Sequence, residues 1–88
     1  MGKKVTIDLR NIHTPRAAQA YIQYAMDFPA HYGRNLDALH DMLGEIGEEM
    51  QLTLITDAQP TREMAAYYGK LLRVLEDAAK ENLKLTVL

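Results

Sequence analysis

The most informative segment of the chain is His31–Ile46, which reads HYGRNLDALHDMLGEI. Asn35 is a favourable N-cap because its side-chain oxygen can accept from the free N–H groups of a first helical turn, so a helix is predicted to begin at Leu36. Apolar residues then recur on one face of this helix, which predicts that the face packs against a core. They are Leu36, Leu39, Met42, Leu43 and Ile46.

The opposite side of this helix carries three carboxylates at steps of four residues, Asp37, Asp41 and Glu45. This spacing stacks them into one acidic stripe. Like charges at this spacing destabilise a helix slightly, and the helix dipole compensates only a carboxylate in the first turn. A charge run taken alone is most often an ordinary solvated face, and that interpretation stays open here.

The neighbours of the acidic stripe favour a binding surface. His31 and Tyr32 place an imidazole and a phenol in a short turn beside Gly33. After the stripe begins, Gly44 opens a gap in the helix surface where another backbone could come close. Adaptable rings, carboxylates and a bare patch together favour an epitope for a protein partner.

This stretch resembles the signature of the barstar family, small bacterial proteins that inhibit secreted microbial ribonucleases. The resemblance rests on Tyr32-Gly33-x-Asn35-Leu36-Asp37-Ala38-Leu39-x-Asp41-x-Leu43. It extends over the chain as the same order of elements, with Asp77-Ala78 where the family has an acidic residue followed by alanine. The resemblance implies a small two-layer α/β fold and a protein inhibitor that occludes a cationic ribonuclease active site.

The resemblance also implies roles for single residues. Asp41 is the expected principal anchor and Asp37 the partner of the enzyme's nucleotide-recognition side. His31 stands where the family usually has a tyrosine that reaches the active site. On the last helix, Val74 and Asp77 are expected to help hold the enzyme.

Other positions shape the backbone or depart from the family. Gly33, Asn35 and Gly44 are expected to set the backbone of the binding surface. His40 replaces a usual tryptophan, and Glu45 stands where the family often has glycine. A second tryptophan is replaced by Ile46, so the cognate enzyme is expected to differ from the family's best-known target.

Before this stretch, Lys4–Leu9 alternates polar and apolar residues and is predicted to be a strand. Thr14 is a good N-cap with Pro15 at the first helical position, so a helix is predicted there. Asp27-Phe28-Pro29 is predicted to end it.

After the stretch, Met50–Thr56 is rich in β-forming residues and predicts a second, well-buried strand. Thr61–Glu81 is helical in pattern, with a break expected near Gly69 and Asn82 suited to close the helix. Leu83–Leu88 predicts a third strand. Strands separated by helices imply parallel crossovers, so we expect a three-stranded parallel sheet packed with three to four helices.

The composition indicates one globular domain over residues 1–88. A net charge of −2 disfavours direct binding to nucleic acid or to an anionic membrane. The chain has no cysteine, no N-terminal apolar h-region and no long apolar run, so we expect a cytoplasmic protein. We also expect a monomer in isolation.

An enzymatic interpretation of the stripe is weaker. Asp37, Asp41, His31 and His40 could suggest metal or acid–base chemistry, but side chains on a convex helix offer no water-excluding pocket. The sequence has no serine or cysteine nucleophile and no Gly-rich phosphate loop. We therefore expect no catalytic, metal or cofactor site. The expected partner is a basic microbial ribonuclease or a nuclease toxin, with a regulatory module that binds another basic protein as the alternative.

Overall fold

The computed structural model describes residues 3–46, 49–79 and 83–88. Its elements follow the predicted order: β1 (Lys3–Asp8), α1 (Pro15–Met26), α2 (Leu36–Gly44), β2 (Met50–Ile55), α3 (Arg62–Ala78) and β3 (Leu83–Val87). The α/β class is confirmed, with three helices among the described residues. Strand and helix ends differ from the predicted bounds by a few residues.

The three strands form one parallel sheet in the order β1-β2-β3. Val5, Leu52 and Leu85 lie side by side across it. Neighbouring parallel strands need a long crossover connection. The segment with α1 and α2 connects β1 to β2, and α3 connects β2 to β3. The predicted parallel sheet is therefore confirmed.

The helices cover one face of the sheet. Val5 and Ile7 in β1 are buried, whereas Lys4 and Thr6 between them are exposed. The central strand buries its alternate residues Met50, Leu52 and Leu54 in the same way. Because α1 packs on β1, α3 packs on β3 and α2 packs on α3, the covered face holds the core.

Side-chain caps fix where each helix begins. The Thr14 hydroxyl accepts from the Ala17 N–H at 3.1 Å at the start of α1, as the sequence predicts. Thr61, which the sequence places inside the last helix, is its N-cap and accepts from the Met64 N–H at 3.1 Å. At the other end of α1, Asp27 has a φ of 56° and ends the helix.

The break expected near Gly69 is wrong, because α3 is continuous over Arg62–Ala78. Met64 lies on one side of Gly69 and Leu71 on the other, and both side chains are fully buried. Burying these side chains on one straight face stabilises the helix by more than the roughly 1 kcal/mol that a glycine costs. Glu81 and Asn82, where the sequence predicts the end of this helix, lie outside the described residues.

Candidate functional site

The acidic stripe faces solvent because the opposite face of α2 packs on the core. Leu39 is 1% exposed and Leu43 7%. Asp37 and Asp41 are exposed on the other face, and Glu45 is exposed as the C-cap. The helix ends at Gly44, earlier than the apolar pattern suggests, so the third carboxylate stands just beyond it.

The start of α2 is fixed by Asn35 and Gly33. The Asn35 Oδ1 accepts from the Ala38 N–H at 2.7 Å, and its Nδ2 donates to the Gly33 carbonyl at 3.3 Å. A Cβ on Gly33 would lie 3.2 Å from the Ala38 Cβ, a close approach that favours glycine. These two residues therefore position the turn that carries Asp37.

The two ring side chains in the loop before α2, His31 and Tyr32, differ in their exposure to solvent. His31 is exposed, whereas Tyr32 is only 5% exposed and packs against Phe28 with the ring centroids 4.9 Å apart. The Tyr32 hydroxyl donates to the Gln19 Oε1 at 2.5 Å. Tyr32 thus holds the loop against the core and leaves His31 as the ring that a partner can reach.

Gln19 is a structural residue of the site that the sequence reasoning missed. Its side chain is 3% exposed, and its Nε2 donates to the Tyr67 hydroxyl at 2.5 Å. The available signal was its spacing, because it lies three residues before Ile22 on the inward face of α1. Burial raises the pKa of Tyr32 to about 12, with a smaller contribution from the nearby Tyr67.

Two parts of the predicted site meet between α2 and α3. His40 and Gly44 from α2 line a cleft of about 100 Å³ together with Asp77 from α3. Asp77 is exposed, and Val74 is half-buried and packs against the core. The structure therefore brings Asp77 of the last helix next to the end of α2.

A second polar cluster lies where β1 and β2 end, and its groups are engaged with each other. Arg10 pairs with Asp8 at 2.8 Å, and Asp57 accepts from the N–H groups of Asn11 and Gln59. The guanidinium lowers the pKa of Asp8, and the backbone donors lower that of Asp57. This cluster holds loops together.

The described residues offer neither a metal cluster nor a membrane span. Within 3–46, 49–79 and 83–88, no three His, Asp or Glu side chains are grouped so that they could hold a metal ion. No helix in those ranges combines the length and apolar character needed to cross a bilayer. The acidic stripe is an open, convex helix surface, a shape suited to entering a groove on another protein.

Comparison with known proteins identifies relatives over nearly the whole chain. A family model described as "Barstar (barnase inhibitor)" matches residues 2–87. The "Putative ribonuclease inhibitor YrdF" of Bacillus subtilis (strain 168) is 31% identical over 80 residues, which cover 90% of this chain and 88% of that relative. The family match includes both α2 and the part of α3 that carries Val74 and Asp77.

Proposed function

Because the chain belongs to the barstar family, we propose that it inhibits a ribonuclease by placing the acidic stripe and the loop before it in the enzyme's cationic active site. The observation that carries this proposal is the pair Asp37 and Asp41 on the exposed face of α2. A ribonuclease groove holds phosphates with Arg, Lys and His, and carboxylates can take the places of those phosphates.

The rigidity of α2 supports tight binding. Its start is capped by Asn35 and its inner face is packed by Leu39 and Leu43. Because the backbone beneath the carboxylates is already ordered, binding loses little backbone entropy there, although the side chains themselves must still be fixed. A preorganised acidic surface of this kind complements a basic groove in both shape and charge.

Several of the predicted residues have direct roles in the proposed interface. Asp41 is the principal anchor, and Asp37 contacts the side of the groove that recognises the nucleotide. His31 approaches the active site from the loop. The cleft formed by His40, Gly44 and Asp77 takes a second part of the enzyme surface. Val74 and Glu45 add further contacts to the enzyme.

We propose a bacterial, cytoplasmic setting in which the protein is a monomer until it meets its enzyme. The partner is a basic microbial ribonuclease, or a nuclease toxin for which this chain is the immunity protein. In either case the chain acts by occupying a site and carries out no reaction. It requires no cofactor, and it contacts the enzyme rather than RNA.

The test is capture followed by inhibition. Immobilised parent protein is exposed to a lysate of its native host, the bound ribonuclease is purified, and its activity is titrated with parent and with Asp41→Ala. Removing one partner of a desolvated charge pair costs about 2–5 kcal/mol, a range to which barstar-family complexes themselves contributed. We therefore expect Kd to rise by roughly 30-fold or more.

Glu63→Ala is the matched control, because Glu63 is an exposed carboxylate in the first turn of α3, outside the proposed interface. It should inhibit as the parent does. Both variants should melt within a few degrees of the parent, since substitutions at exposed positions change stability by about 0.5 kcal/mol or less. Undiminished inhibition by Asp41→Ala would contradict the anchor, and capture of a basic protein without nuclease activity would contradict the function.

A further inference from the structure

A basic groove lies between the beginning of α1, residues 34–37 and the middle of α3. Its volume is about 460 Å³, and it is open to solvent on one side. Volumes of roughly 300–1,000 Å³ are usual for sites that bind small molecules. All of its lining residues belong to the described part of the chain.

The charges of the groove are unbalanced. Arg16, Arg34 and Lys70 line it against the carboxylate of Asp37, and all four side chains are exposed. Among the described residues, Arg10 and Asp8 form an ion pair, whereas none of the three groove cations is paired with a carboxylate of the described residues. The first turn of α1, which contains Arg16, has no acidic residue. The groove therefore carries two positive charges in excess, and a bound anion would relieve their repulsion.

One of these cations is held in place before any ligand arrives. The Arg34 Nε donates to the Gln23 Oε1 at 2.8 Å. This bond uses one donor of the guanidinium and leaves the terminal nitrogens for a ligand. The backbone of Arg34 is left-handed, with a φ of 55°, a conformation that costs most residues energy. The fold thus keeps an arginine at a position where glycine or asparagine would be less strained.

The groove also has an apolar part, which we call its floor. Pro15, Leu36 and Tyr67 line it. The Tyr67 hydroxyl is engaged by the Gln19 side-chain amide, which holds the ring in position. A ligand that uses both parts of the groove has an anionic head for the cations and an apolar ring that can stack on Tyr67.

From this charge and shape, we propose that the groove binds a phosphate monoester of a flat group, the class that includes the mononucleotides. A phosphate monoester carries nearly two negative charges at neutral pH, which matches the excess of the groove. Guanidinium groups bind phosphate oxygens in a bidentate manner, and a planar ring stacks on an aromatic side chain. A single carboxylate would balance only half of the excess charge. Binding of this ligand does not require that the protein inhibits a ribonuclease.

The test is an NMR titration of the isotope-labelled full chain at low ionic strength. Adenosine monophosphate, adenosine and inorganic phosphate are the three probes. Adenosine monophosphate should shift the backbone amides of Arg16, Gln19 and Asn35 saturably. It should bind at least about tenfold more tightly than either fragment, because only the ester uses the cations and the floor together.

Two variants and one control assign the binding to the groove. Arg16→Gln and Lys70→Gln should each weaken the binding of adenosine monophosphate at least about fivefold, since each removes a charge-assisted contact. Arg73→Gln removes the same charge from an exposed position on α3 that does not line the groove, and it should bind as the parent does. Thermal melts establish that all three variants are folded.

Three results would each overturn the proposal. Absence of saturable shifts with adenosine monophosphate would mean that the groove is not a site for this class. Equal weakening by Arg73→Gln would show that only general charge attraction is involved. Tighter binding of a glutamate-rich peptide than of adenosine monophosphate would assign the groove to an acidic protein partner instead.

Discussion

At the scale of single residues, Gln19 joins three parts of the molecule through one buried amide. It accepts from the Tyr32 hydroxyl and donates to the Tyr67 hydroxyl, so the loop before α2, α1 and α3 meet at this side chain. A buried polar group that loses its partner costs about 1–3 kcal/mol. The position of the loop that carries His31 therefore depends on this network.

Replacing Tyr32 by phenylalanine should lower the free energy of unfolding by about 1–3 kcal/mol, because the Gln19 Oε1 loses its donor in the core. Urea denaturation measures the change. Tyr24→Phe is the matched control, since the Tyr24 side chain is 85% exposed and its loss should change stability by about 0.5 kcal/mol or less. Equal losses in the two variants would contradict the structural role of the Tyr32 hydroxyl.

The phenols of Tyr32 and Tyr67 also lead us to expect that the protein loses stability at alkaline pH. Burial raises the pKa of Tyr32 from 10.0 to about 12 and also raises that of Tyr67. As pH rises through 10, the unfolded chain releases these protons while the folded chain retains them. The free energy of unfolding therefore falls between pH 10 and 12, by up to about 1.4 kcal/mol per pH unit for Tyr32, and Tyr67 acts in the same direction. Below pH 10 this contribution to stability is fully present.

Urea midpoints measured at pH values from about 9 to 12 test this expectation. Tyr32→Phe should show a shallower decline than the parent, because it lacks one of the two buried phenols. Parallel declines in parent and variant would contradict the retention of the Tyr32 proton in the folded state. Tyrosinate absorbance recorded on the same samples reports directly when the phenols ionise.

At the scale of elements, α3 organises the helical layer because both α1 and α2 pack against it. Its inward side chains Met64, Leu71 and Leu75 are buried on both sides of Gly69. The glycine itself is exposed. Local propensity is therefore outweighed by packing along the whole length of α3.

Gly69→Ala should raise the free energy of unfolding by about 0.4–1 kcal/mol, because alanine favours the helix and an added Cβ meets nothing within 4 Å. Gly33→Ala is the contrasting variant and should be destabilising, since its Cβ would lie 3.2 Å from the Ala38 Cβ. Thermal unfolding compares the two. A loss of stability in Gly69→Ala would contradict a continuous α3.

At the scale of the whole molecule, the net charge of −2 hides an uneven distribution. Carboxylates gather on the exposed side of α2, and cations gather in the groove beside its first turn. These local electrostatic fields act on an approaching partner more strongly than the small net charge does. Orientation of the encounter is therefore expected to depend on electrostatics.

The association rate with the captured ribonuclease should fall steeply as salt rises. The Debye length shrinks from about 10 Å at 0.1 M salt to about 3 Å at 1 M, which removes the attraction between the acidic stripe and a basic groove. Stopped-flow mixing measures the rate, and the dissociation rate should change less. An association rate that does not change with salt would contradict steering and favour a mainly apolar contact through Val74 and Ile46.

Features that depend on neighbours along the chain were predictable from residue spacing alone. The caps at Thr14 and Asn35, and the division of α2 into an apolar and an acidic side, follow from spacing within one or two helical turns. Strand positions and the parallel sheet followed from the alternation of strands and helices. These signals are local, so they can be recognised from the sequence without a structure.

The contacts between residues that are distant along the chain could not be predicted in this way. Spacing did not indicate that the loop residue Tyr32 would turn into the core, because its partner Gln19 lies on α1. Gln19 in turn reaches Tyr67, 48 residues away. The continuity of α3 and the order of the strands likewise depend on long-range packing. The basic groove combines residues from three segments, and local sequence periodicity contains no information about such a combination.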